Sequence, residues 1–153
     1  MRNKKNHPGQ SLVEFALVLP LLLMLVLGAM DVGRLFYYKM ALTNAAREGA
    51  NYLAYYPPKE NLSPSQLPVS ERLKRTYEAI EAEGENFGID IVTDDEVDIL
   101  LEGCTSITNC LSGDRVGIKI TKEIDLIFDD ILQSLGLISG PITVTSVIYM
   151  VVQ

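Results

Sequence analysis

Beyond its seventh residue this chain has no histidine, and it has no tryptophan at all. The single imidazole, His7, sits in a short basic leader, so the rest of the chain has no such group for general-base, triad or metal work. No Walker A sequence occurs, nor a GxGxxG that opens a helix, which leaves nucleotide binding without support. Two cysteines, Cys104 and Cys110, are too few for the usual four-ligand zinc site. The acids at Asp94, Asp95, Glu96 and Asp98 match no EF-hand spacing and lack its twelfth-position glutamate, so they read as a solvated turn. Basic charge is also scarce. Without Arg2, Lys4, Lys5 and Glu14 the chain holds ten basic against nineteen acidic residues, a balance that argues against nucleic acid as a partner. These absences together predict a protein that is not an enzyme and uses no cofactor or metal.

What the chain has in excess is apolar length. From Phe15 to Met30 run sixteen residues, FALVLPLLLMLVLGAM, without a charge. At 1.5 Å per residue they reach about 24 Å, short of a hydrocarbon core of roughly 30 Å, so Leu12, Val13 and Val32 must extend the span and Glu14 enters at membrane depth. A buried helix of a soluble core rarely shows such leucine density directly after a basic leader. A cleaved secretory signal expects small residues at positions −3 and −1, and neither Gly28-Ala29-Met30 nor Leu27-Gly28-Ala29 supplies both. A signal anchor and a stem whose leader is trimmed on the cytoplasmic side remain. In either case Arg2, Lys4 and Lys5 hold the N-terminus in the cytoplasm, and membrane lipid is a partner of a single-pass chain whose C-terminal part lies outside. Both cysteines then meet an oxidising compartment, where a disulfide is the expectation and two free thiols or a metal site are the alternatives.

The helical pattern continues past the apolar run. Leu35, Tyr38, Leu42, Ala45, Gly49, Tyr52 and Tyr56 recur at spacings of three and four, and Pro57-Pro58 stops the helix because proline lacks the donor. The expected helix occupies 10–56, with a membrane half at about 12–33, a stem half at about 34–56 and a kink at Pro20. Ala41, Ala45, Ala46, Gly49 and Ala50 mark a face that another backbone can approach closely, although alanine is also simply a good helix former. Residues 57 to 69, with four prolines, read as a surface connection.

A second helix is expected after an N-cap at Ser70. Leu73, Tyr77, Ile80 and Phe87 form its apolar stripe, and Gly84 or Gly88 its end, while Glu71, Arg72, Lys74, Arg75, Glu78, Glu81 and Glu83 form a solvated face. The period then drops to two in Val97, Ile99 and Leu101 and again in Val116, Ile118 and Ile120, which predicts a hairpin whose elaborated loop carries both cysteines. A short helix near Leu126 to Leu135 and a last strand, Ile142 to Val152, complete the expectation. The β-branched run of that strand suggests a central position. The predicted fold class is α+β, a small, mainly antiparallel sheet in the exported part 57–153 with the long N-terminal helix packed on it.

At the membrane entrance the sequence reads Gly9-Gln10-Ser11-Leu12-Val13-Glu14-Phe15. A glycine ahead of a hydrophobic helix, with a glutamate as the fifth residue after it, resembles the processing site of type IV pilins and pseudopilins. The segment from Val13 to Ala50, with Pro20, Asp31, Gly33 and Thr43-Asn44-Ala45-Ala46-Arg47, resembles the N-terminal region of TadE-like proteins, minor pilin subunits of tight-adherence pili. The resemblance implies removal of the leader 1–9 by a prepilin peptidase between Gly9 and Gln10, and assembly with other pilin subunits and the pilus assembly machinery. It implies further that Glu14 is an assembly charge. Gln10 stands where many such pilins begin with phenylalanine. The nearly one hundred residues after Tyr56 favour a minor subunit over the short principal pilin. An anchored extracytoplasmic sensor or adhesive domain outside any filament is the alternative.

Overall fold

The structure is a computed structural model that describes residues 9–55, 69–91, 93–107, 110–128, 133, 134, 136 and 140–153. Most of the basic leader, the proline-rich connection and half of the helix expected at 126–135 lie outside the described residues; Leu126, Ile127 and Phe128, where that helix is expected to start, are non-helical and end in a turn. Helix α1 spans Gln10–Tyr55, α2 Val69–Asn86 and the single turn α3 Thr93–Glu96. Strands β1 (Val97–Glu102), β2 (Arg115–Ile124) and β3 (Ile142–Val151) follow. The fold is α+β, as the change of period predicts. The chain divides into two units, Met1–Arg34 with Asp125–Gly140, and Leu35–Ile124 with Pro141–Gln153.

In the first unit α1 is bare from Gln10 to Val26. Leu17, Leu21, Leu25 and Met30 are all exposed, and the helix is long and apolar enough to cross a membrane. Pro20 lies inside it, where the missing N–H removes one bond of the helical ladder.

The second unit is a three-stranded antiparallel sheet, ordered β1-β2-β3, with the later part of α1 in its core. The register aligns Leu101, Val116 and Met150, then Ile99, Ile118 and Ile148, then Val97, Ile120 and Ser146. Opposed residues share a face of the pleat, so these rows make one apolar surface. Against it lie Leu42, Ala45, Ala46, Ala50 and Leu53 of α1 and Ile80 of α2. The small side chains are a packing face, and Gly49 is its closest point. A Cβ built on Gly49 would stand 2.6 Å from two carbons of Ile80 and 3.4 Å from Ile118.

Four expectations are corrected here. The last strand is an edge and not the centre of the sheet, because β2 pairs with both β1 and β3. Its β-branched run alternates in burial: Thr143, Thr145, Val147 and Val151 face solvent and only the other side reaches the core. A one-sided strand of this kind needs no second neighbour. Lys39 covers part of that edge by donating to the Thr145 carbonyl.

The acids after Thr93 are solvated as expected at Asp95 and Asp98, but they do not form an irregular turn. They begin in α3 and continue into β1, where Asp98 meets Lys119 of the neighbouring strand at 2.8 Å. Glu96 forms a half-buried ion pair with Lys122, also at 2.8 Å.

Arg72 does not belong to the solvated face of α2. Its Nη2 donates to the Leu53 carbonyl at 2.9 Å, one of the last-turn acceptors that α1 leaves without an intrahelical partner. Burial pushes the guanidinium below its ordinary pKa, and among the described residues its buried Nε has no hydrogen-bond partner. Helix α2 starts at Val69 and so takes in Ser70, the residue expected to cap it. It ends with Gly88 at φ +64, a left-handed position that glycine adopts without strain.

Candidate functional site

The sequence singles out two places, the start of α1 and the cysteine loop. At the first, Gly9 is an exposed turn residue and Gln10 the first residue of α1. The Gly9 carbonyl accepts the Val13 amide at 3.3 Å, so the backbone hydrogen bonding of the helix begins at Gly9 itself. One turn in, the exposed Glu14 accepts a hydrogen bond at 3.2 Å from the Gln10 side-chain amide. The carboxylate therefore lies one helical turn from the atoms that would become a new N-terminus.

Among the described residues nothing crowds position 9, where a Cβ would meet nothing within 4 Å. Gly49 differs, because packing excludes any side chain there.

At the second place Cys104 and Cys110 form a disulfide with a Cα–Cα distance of 5.0 Å, inside the range such a bond requires. Of the three alternatives left open by the sequence, the structure has the disulfide. The Asp114 carboxylate lies within 4.8 Å of the sulfurs, but two sulfurs bonded to each other offer no thiolate to a metal. Asp114 has a structural role instead. Its Oδ2 accepts the Leu111 amide at 2.8 Å, while its carbonyl accepts the Val152 amide at 2.8 Å and the Val152 carbonyl accepts the Gly113 amide at 3.0 Å. The loop is thus tied to the end of β3. Reduction of so small a ring, six residues apart in sequence, is expected to cost about 2 kcal/mol by the loop-entropy argument. Thermal unfolding with and without a phosphine reductant measures that loss, and thiol labelling of the denatured, unreduced protein should find no free cysteine.

Two polar residues that carry the architecture carried no signal for it in the sequence. Thr43 Oγ1 donates to the Lys39 carbonyl at 2.6 Å, so it can only accept from the buried Ser146 Oγ at 3.0 Å. Asp31, buried in α1, accepts the backbone amides of Ile127 at 3.0 Å and Phe128 at 3.1 Å, with Arg34 at 3.9 Å. Nothing local to the sequence announces partners ninety-six residues away.

Among the described residues one helix, at the N-terminus, is long and apolar enough to cross a membrane, and such a helix leading into a small α+β domain suggests a single-pass membrane anchor. More particularly, residues 9–51 match the family of TadE-like proteins, which makes the N-terminal region of this chain TadE-like. No curated protein and no solved structure matches the chain. The match starts at Gly9 and takes in Gln10, Glu14, Asp31, Thr43 and Gly49. It ends before the sheet, whose sequence it does not describe.

Proposed function

We propose that this chain is a minor pilin subunit of a tight-adherence pilus or a related secretion apparatus, cut between Gly9 and Gln10 by a prepilin peptidase. The observation that carries the reading is Gly9. Among the described residues nothing crowds position 9, yet a glycine stands at the boundary of leader and helix, and the TadE-like match starts on it. A glycine that packing among those residues does not require is one that a processing enzyme can require. Exposure at the helix entrance suits such an encounter.

The leader stays on the cytoplasmic side, and the domain is carried to the other face of the cytoplasmic membrane and from there into the pilus. Its partners are the peptidase, other pilin subunits, the assembly machinery and lipid, with no nucleic acid. The chain is not an enzyme. Cleavage would remove its only imidazole, and the acids at 94–98 are occupied in part by Lys119 and Lys122. Intact mass of the membrane-extracted protein tests the reading: in cells that possess the peptidase the chain should begin at Gln10. A full-length chain in such cells would refute it in favour of an anchored sensor or adhesive domain.

A further inference from the structure

We infer that the turn at Leu126–Phe128 is a second membrane contact, held by Asp31 at the level where α1 leaves the bilayer. The inference rests on the reading of α1 as a membrane anchor. Asp31 follows the apolar run by one residue, so its side chain lies at the boundary between lipid and water. A carboxylate at that depth is costly unless it is hydrogen-bonded, and this one is buried with the Ile127 and Phe128 amides on its two oxygens. Those two bonds fix the turn at the same height as Asp31. The chain from Asp125 to Gly140 accordingly falls in one unit with the membrane half of α1.

Between the exposed Asp125 and the Asp129-Asp130 pair of the sequence, the turn itself carries three apolar side chains. Ile127 is 46% exposed, and Leu126 and Phe128 are half-buried. The apolar run of α1 is otherwise bare, but Leu27 and Gly28 are partly covered and lie on the same helical face as Asp31 and Arg34. That covered face reaches a full turn, about 6 Å, from Asp31 into the run. On its flanks Met30 and Val32 are open. An isoleucine and a phenylalanine fastened beside an apolar helix at its exit from the bilayer are continuous with the lipid-facing surface, and lipid is the occupant that matches their chemistry. The second contact restrains the helix where an isolated span could rotate and tilt freely.

The test uses the whole chain in phosphatidylethanolamine–phosphatidylglycerol vesicles, at few proteins per vesicle. An environment-sensitive fluorophore is placed on Ile127→Cys, with Leu22→Cys in the span and Lys74→Cys on α2 as references. Lipids carrying a nitroxide just beneath the headgroup should quench Ile127 strongly and leave Lys74 bright, whereas a deeper nitroxide should quench Leu22. A bright Ile127 beside a quenched Leu22 overturns the inference and leaves the anchor standing. A bright Leu22 overturns the anchor and the inference with it. In Asp31→Ala the quenching of Ile127 should be largely lost while that of Leu22 is unchanged; quenching retained at Ile127 would remove Asp31 from the account.

Discussion

Glu14→Gln is expected to leave leader cleavage and membrane insertion intact and to lower the number of pili at least about tenfold, because a buried charge left without its partner is costly. The substitution keeps the shape of the side chain and removes its charge. On insertion scales a carboxylate in the middle of a span costs about 2.5 to 3.5 kcal/mol, less near the interface, so the charge calls for a compensating partner. In the chain with its leader attached, Glu14 accepts a neutral amide from Gln10 at 3.2 Å, which satisfies hydrogen bonding without neutralising charge. Cleavage after Gly9 would place a cationic α-amino group one turn away. A neighbouring subunit's amine offers the same charge, and pairing across subunits would set the axial register while neutralising both groups. Pilus counts by electron microscopy, with immunoblots for processing and membrane fractionation, separate the steps. Normal piliation by the variant would leave Glu14 as a residue that merely favours the positive end of its own helix.

The parts of this architecture that the sequence announces are those governed by local periodicity. Helix α1 is legible from apolar spacing and its terminating prolines, and the strands from the fall of the period to two. The cysteine pairing is legible as an expectation because the chain has only two cysteines, with five residues between them in one loop of the exported part, where thiols are oxidised. Contacts between distant residues were not legible. Arg72 looks like any charge on an amphipathic face until α2 docks beside the last turn of α1, and its bond to Leu53 depends on that docking. The position of β3 was misread because β-branched residues promote strand without specifying neighbours; the threonines at 143 and 145 were the sign of a solvent-facing side. Asp31 shows the same limit at the candidate site. Its place in the TadE-like segment is visible in the sequence, whereas its partners Ile127 and Phe128 come only with the fold.

Gly49→Val is expected to destabilise the sheet domain by about 3 kcal/mol or more, because overpacking at the tightest point of the core outweighs the gain in helix propensity. Replacing a helical glycine by alanine usually gains up to about 1 kcal/mol, and valine gains less because it is β-branched. Against this, the first carbon of any side chain at position 49 would stand 2.6 Å from Ile80 Cδ1 and Cγ1. Ile80 cannot swing into solvent, since it is fully buried with Leu42, Leu53 and Ile118 around it in the same core. Helix α1 or α2 must therefore shift, and valine adds two further methyl groups to the conflict. A loss of this size is a large share of the 5 to 15 kcal/mol that holds a typical domain together, and lowers the melting temperature by more than about 10 °C. Near-ultraviolet circular dichroism of the tyrosines in the detergent-solubilised whole chain follows the domain while the membrane half of α1 stays helical. Ile80→Ala vacates the contested space at a cost of its own, so Gly49→Val combined with Ile80→Ala should be more stable than the sum of the two losses by about 1 to 3 kcal/mol. Strict additivity, or a Gly49→Val protein that melts like the parent, would mean that the small residues of the stem are there for helix propensity and not for close approach.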